Sequence, residues 1–339
     1  MRIAVDAFGG DNAPDEIIKG SISAVSENDI EIVLVGDENI INDKITQFGY
    51  NGNKISIKHA SEVIEGNDSP VEAMRKKPDS SMIVAIKLCK TGEVDAVVSA
   101  GNTGAYLACA FRNLGRIKGI KRPALSAFMP AVNGKIGVIM DVGANADCKP
   151  EQLDQFAQMG SLYAENVLNI KEPKVYLLNI GTEEHKGNDL YQKAHALLKE
   201  NKNLNFCGNI ESRELTSGFA DVIVCDGFTG NIAIKSIEGT ASALFGLIKK
   251  SFKKTILTKL SAMIMLPHLK ETKSLLDYSE YGGVPLLGID GVVIKAHGSS
   301  DAKAFANAIK SAIVFSKTGI NEKLKEIYTP KENDETENE

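Results

Sequence analysis

Short β-branched runs recur along the chain with segments of helix length between them: Arg2 to Val5, Glu31 to Val35, Val94 to Val98, Lys135 to Met140, Lys174 to Leu178, Asp221 to Val224 and Gly291 to Lys295. That alternation predicts a mostly parallel sheet covered by helices. Several runs are apolar throughout, as strands buried on both faces are, and short buried helices share the pattern. The expected fold is α/β, a three-layer α/β/α arrangement. It occupies residues 1–330 as one domain, with a division into two subdomains left open. Residues 331–339 are nearly all charged or polar and read as a disordered acidic tail.

The turns at the strand ends are more informative than the strands themselves. Six apolar runs break into small, polar, Gly-containing turns: Asp6 to Asn12, Ser99 to Gly104, Asp141 to Asp147, Asn179 to Gly187, Asp226 to Asn231 and His297 to Asp301. Ligands of parallel sheets lie at the carboxyl ends of the strands, so these turns are expected to converge on one rim. A Gly-rich turn that opens a helix offers backbone N–H groups and a positive dipole end to an anion. The best candidate is the second turn. Gly101 and Gly104 permit close approach, while Ser99, Asn102 and Thr103 add donors for a phosphate or an oxyanion. Helix capping explains the same residues, and for this turn taken alone it is the commoner use of them.

The named fingerprints of other chemistries are missing. No G-x-G-x-x-G, P-loop, G-x-S-x-G or H-E-x-x-H pattern occurs, which disfavours dinucleotide, ATP, serine-hydrolase and zinc-protease readings. His297 ends an apolar run and opens a Gly-Ser-Ser-Asp turn, where it reads either as an acid or donor to substrate oxygen or as a capped loop histidine. Lys186 is the only basic residue inside the six turns, placed to neutralise phosphate or simply solvated. No metal set is indicated.

Composition changes this picture in one place. The chain has 339 residues and a formal net charge of −5, which gives no general reason to expect nucleic acid. Five cysteines without metal or disulfide spacing fit a reduced, cytoplasmic protein, and no leader or run of 18 apolar residues is visible. Lys249 to Lys273, however, carries seven lysines against one glutamate. Within it Leu257, Leu260, Met263 and Ile264 recur with Ile256 at helical spacing, and Pro267 is expected to stop the helix. This segment, about 245–280, reads as a protruding amphipathic element that meets an anionic membrane, an acidic partner, a dimer mate or the core.

At these same residues the sequence resembles the phosphate acyltransferase family of bacterial phospholipid synthesis, the PlsX-type enzymes. The resemblance runs through the six turns and Tyr281 to Gly288, with Phe8 where the family has Met. It implies a fold like isopropylmalate dehydrogenases and phosphotransacetylases. It also implies transfer of a long-chain acyl group from acyl carrier protein to inorganic phosphate, without a cofactor, in a homodimer that is cytoplasmic and peripherally membrane-associated. The acyl phosphate product would then serve a downstream membrane glycerol-phosphate acyltransferase. On that reading Lys186 and His297 are catalytic. Gly9, Gly10, Asp11, Asn12, Ser99, Gly101, Asn102, Thr103, Gly104, Asn145, Asn179, Asn231 and Ser299 hold phosphate or position substrate. The runner-up is a short-chain phosphotransacetylase-like enzyme using acyl-CoA.

Overall fold

The computed structural model describes residues 1–276 and 282–329. Tyr281 and the acidic stretch 331–339 lie outside the described residues. The chain divides into two compact units. One is built from Met1–Leu125 with the described part of Tyr281–Glu339, the other from the described part of Ser126–Glu280.

The first unit begins β1 (Arg2–Asp6), α1 (Asp15–Glu27), β2 (Glu31–Gly36), α2 (Glu38–Gln47), β3 (Ile55–His59), α3 (Pro70–Lys76), α4 (Ser81–Lys90), β4 (Ala96–Ser99) and α5 (Thr103–Leu114). It also takes the first two residues of β5 (Ala124–Pro130). The second unit continues with the rest of β5, then β6 (Ile136–Met140), α6 (Pro150–Val167), β7 (Lys174–Asn179), α7 (Asp189–Glu200), β8 (Asn205–Glu211), β9 (Val222–Val224), α8 (Gly227–Phe252) and α9 (Ile256–Leu276). The chain returns to the first unit through β10 (Val284–Leu287), β11 (Val292–Lys295), α10 (Ala302–Thr318) and α11 (Ile320–Tyr328).

In the first unit the strand order is β3-β2-β1-β4-β11-β10-β5, parallel from β3 through β11, with β10 antiparallel to both neighbours. In the second it is β5-β6-β9-β7-β8, parallel except for the β5–β6 pair. Both sheets are flanked by helices, in the mostly parallel α/β class expected. The central strands β1, β4 and β9 are buried along their length, apart from Arg2, because both faces are covered. Register then decides what meets at the sheet's end: Val5 lies beside Val98, and Lys295 beside Ser99.

All seven predicted runs are strands, and four further strands escape the pattern. β3 and β8 are sheet edges whose burial alternates, so their sequences are half polar. β5 ends in Pro130 and β10 contains Pro285, residues that argue against a strand. One expectation is overturned. Pro267 does not stop the helix but lies inside α9. The carbonyl it frees is that of Met263, a residue 73% exposed, so water can satisfy it.

Candidate active site

Three of the six turns gather in the first unit, at the carboxyl ends of the adjacent strands β1, β4 and β11. Asp6 is fully buried there and accepts from Ser81 Oγ at 2.6 Å and Ser99 Oγ at 2.7 Å. Ser99 Oγ in turn accepts from the Gly101 N–H at 3.0 Å, so one chain of hydrogen bonds sets the path of the second turn. Burial pushes the Asp6 carboxyl above its usual range, against the opposing pull of the two hydroxyls. The first turn is tied to the last: Asp11 N–H donates to Gly298 O at 2.8 Å, and Asn12 Nδ2 to the carbonyls of Ser299 and Ser300.

Above this framework lies a cavity of about 690 Å³, lined by Gly10, Asp11, Gly101, Asn102, Thr103, Gly104 and Lys295, with Phe8, Val63 and Ile64 as apolar surface. Asn102 caps α5, its Oδ1 accepting from Ala105 N–H at 3.0 Å while Nδ2 donates to Gly66 O at 2.8 Å and Asp68 O at 3.2 Å. Its side chain is therefore committed to local structure. The N–H groups of Thr103 and Gly104 find no acceptor among the described residues, and they sit at the positive end of α5. In this turn it is backbone N–H, more than side chains, that is left to bind an anion.

Lys295 is a site residue that the turns alone do not reveal. It is the last residue of β11, 6% exposed, and its Nζ donates to Ala296 O. Burial brings its ammonium down to about 8, with Asp6 and Asp11 opposing. A lysine closing an otherwise apolar run is the available signal, because buried lysines need a compensating partner. His297 and Ser299 are exposed in the neighbouring turn. Ser299 N–H donates to His297 Nδ1 at 3.2 Å and Ser299 Oγ lies 2.8 Å from it, so in the neutral ring Nε2 carries the proton.

The other three turns gather in the second unit, after β6, β7 and β9. The buried Asp141 carboxylate accepts from the N–H groups of Gly143, Ala144 and Asn145 at 2.7 to 3.2 Å and from Asn145 Nδ2 at 2.8 Å. Asn145 O accepts from Gly227 N–H at 2.8 Å, which docks this turn on the start of α8. Asp226 caps α8 through Thr229 N–H at 2.9 Å and accepts from Tyr191 Oη at 2.5 Å; burial drives the Tyr191 phenol upward, so it keeps its proton. Asn179 clamps its own loop, donating to Lys186 O at 3.1 Å and accepting from Ile180 N–H. Lys186 is half-buried, 3.8 Å from Glu183, and Asn231 stands half-buried at the start of the second turn of α8.

Residues 1–323 match the family described as "Fatty acid synthesis protein". The chain is 50% identical over 326 residues to a phosphate acyltransferase of Dictyoglomus turgidum, covering 96% of this chain and 97% of that one. It is 46% identical over 338 residues to a phosphate acyltransferase of Clostridioides difficile, covering 100% and 99%. The chain belongs to the phosphate acyltransferase family. It is accordingly an acyltransferase. Among solved structures it resembles a phosphotransacetylase from Streptococcus pyogenes at a TM-score of 0.65 and 16% identity, covering 94% of each chain. It also resembles a branched-chain phosphotransacylase from Enterococcus faecalis at 0.59 and 14%, covering 93% of this chain and 99% of that one. At such identities the likeness establishes the fold alone.

In this acyltransferase the amphipathic segment comprises the end of α8 and α9. Ile256, Leu257, Leu260, Met263 and Ile264 are 56 to 78% exposed, so the stripe does not belong to the core of this chain. Lys249, Lys250, Lys253, Lys254 and Lys259 are exposed around it. No helix among the described residues is long and apolar enough to cross a membrane. Nor do three or more His, Cys, Asp or Glu side chains converge there to hold a metal ion.

Proposed function

We propose that this acyltransferase moves a long-chain fatty acyl group from the thioester of acyl carrier protein to inorganic phosphate, making acyl phosphate for phospholipid synthesis. The observation that carries the reading is the cavity of the first unit, where unpaired N–H groups of α5, a Gly-rich turn and a buried ammonium line one space. Such a lining suits a phosphate and the oxyanion of a tetrahedral intermediate. Hydrogen phosphate attacks the thioester carbon itself. The C–O bond forms, the C–S bond breaks, and the phosphate's proton ends on the departing thiolate, with His297 Nε2 as electrostatic support.

No protein nucleophile is needed on this route, and the thiols of Cys89, Cys109 and Cys148 make poor ones. Burial pushes Cys89 up to about 11 and Cys109 and Cys148 to about 12. Positioning of the two substrates then supplies much of the rate. Incubation with palmitoyl-acyl carrier protein and phosphate is expected to give acyl phosphate and free carrier thiol, read by mass spectrometry. Turnover of short-chain acyl-CoA alone would overturn the long-chain reading in favour of the phosphotransacetylase-like one.

The exposed basic stripe suits an anionic bilayer, where a poorly soluble acyl phosphate would pass to a membrane glycerol-phosphate acyltransferase; its lysines also suit an acidic carrier protein. The enzyme is read as a homodimer, cytoplasmic and peripherally bound. Leu260→Glu is expected to weaken co-sedimentation with anionic liposomes about tenfold or more, the worth of one buried leucine. Equal binding by the folded variant would remove the membrane role.

A further inference from the structure

The Lys295 ammonium is buried and carries three N–H donors. One goes to Ala296 O; no carboxylate among the described residues comes within ion-pairing distance. Asp6 has turned its two oxygens to the hydroxyls of Ser81 and Ser99. Two ammonium protons are thus left without an acceptor among the described residues, on a side chain only 6% exposed. Solvated lysines do not sit this way, and a structural lysine would be ion-paired. What the residue does have is the cavity it lines together with the unpaired N–H groups of Thr103 and Gly104.

We propose that Lys295 is the resident cation for the phosphate co-substrate, its free N–H donors and those of the α5 N-terminus holding non-bridging oxygens while a remaining oxygen faces the thioester. The assignment rests on the phosphate-acceptor reading of the cavity. It separates Lys295 from Lys186, which already has Glu183 nearby and is half in solvent. Asp6, Asp11 and Glu65 are the carboxylates that face the ammonium or line the same cavity. Their proximity offsets the cost of burying the charge and disfavours an anion there unless the lysine is protonated. The ammonium loses its proton near pH 8 in the empty site, so phosphate affinity is expected to fall as pH rises past that value.

The test compares wild type, Lys295→Met and Lys295→Arg. With acyl carrier thioester saturating, Lys295→Met is expected to raise the KM for phosphate about 10- to 100-fold, the worth of a hydrogen bond to a charged group, and to leave the KM for the thioester unchanged. Without any acyl donor, phosphate is expected to raise the Tm of wild type, more at pH 7 than at pH 9, and not that of Lys295→Met. Lys295→Arg keeps the charge at both pH values, and its phosphate response is expected not to fall from pH 7 to pH 9. If folded Lys295→Met keeps the wild-type phosphate KM and Tm response, the assignment is wrong. If Lys295→Met does not fold, a wild-type response that is equal at pH 7 and pH 9 overturns it instead. A wild type that makes no acyl phosphate yet shows the Lys295-dependent Tm response would sink the reaction and leave the anion site standing.

Discussion

Gly9→Ala is expected to lower kcat/KM for acyl transfer by about 100-fold, because displacements of about 1 Å in a positioning site have effects of that size. A Cβ at this position would lie against Asp6 Oδ2, 2.8 Å from Gly101 N and 2.9 Å from Ser99 Oγ. None of these is the loose end of a flexible side chain. Asp6 and Ser99 hold each other, and Gly101 N is backbone bonded to Ser99 Oγ. The methyl therefore has to push the second turn out of place, and with it the N–H groups of Thr103 and Gly104. Far-UV circular dichroism is expected to stay unchanged, since no element depends on this contact. Activity within threefold of wild type would show that the turn is not part of the machinery.

The largest stability effect is expected from Gly230→Ala, a loss of about 3 kcal/mol or more, at the upper end of what overpacking costs. Here a Cβ would run into the Asp141 carbonyl and come within 2.8 Å of Cys225 Sγ. That carbonyl belongs to the residue whose N–H donates to Cys225 O and whose carboxylate organises the turn after β6, so it has nowhere to retreat. Gly246→Ala in the same helix meets nothing within 4 Å, and is expected to stabilise by about 0.5 to 1 kcal/mol through helix propensity alone. Urea unfolding of the two variants checks the contrast. Equal midpoints would mean that α8 does not dock as described.

The buried strands are legible in the sequence because a fully apolar run of five residues has few other uses, and the turns are legible because each comes directly after such a run. Edge strands are not, since β3 and β8 leave half their residues in solvent. The functions of the turn side chains are harder to read than their positions. Asn102, Ser99, Asn145 and Asn179 look like ligand donors in sequence, and each is also engaged within the protein, Asn102 and Asn179 with nearby backbone and Ser99 and Asn145 with the carboxylates of Asp6 and Asp141. Lys295 escapes notice for the converse reason. It closes a strand rather than opening a turn, and its register opposite Ser99 places it with the neighbouring turn.

The placement of β11 between β4 and β10 also has a meaning in time. β4 leaves the ribosome long before its neighbour does: Lys295 lies about 200 residues after Ser99, which at about 5 to 20 residues per second is roughly 10 to 40 seconds of synthesis. Until Lys295 is made, the edge of β4 that β11 covers has no partner, while the contiguous residues of the second unit are complete before the chain reaches β11. The nascent chain therefore completes its second unit first and closes the cavity lined by Lys295 last, with an open strand edge that a chaperone has reason to cover.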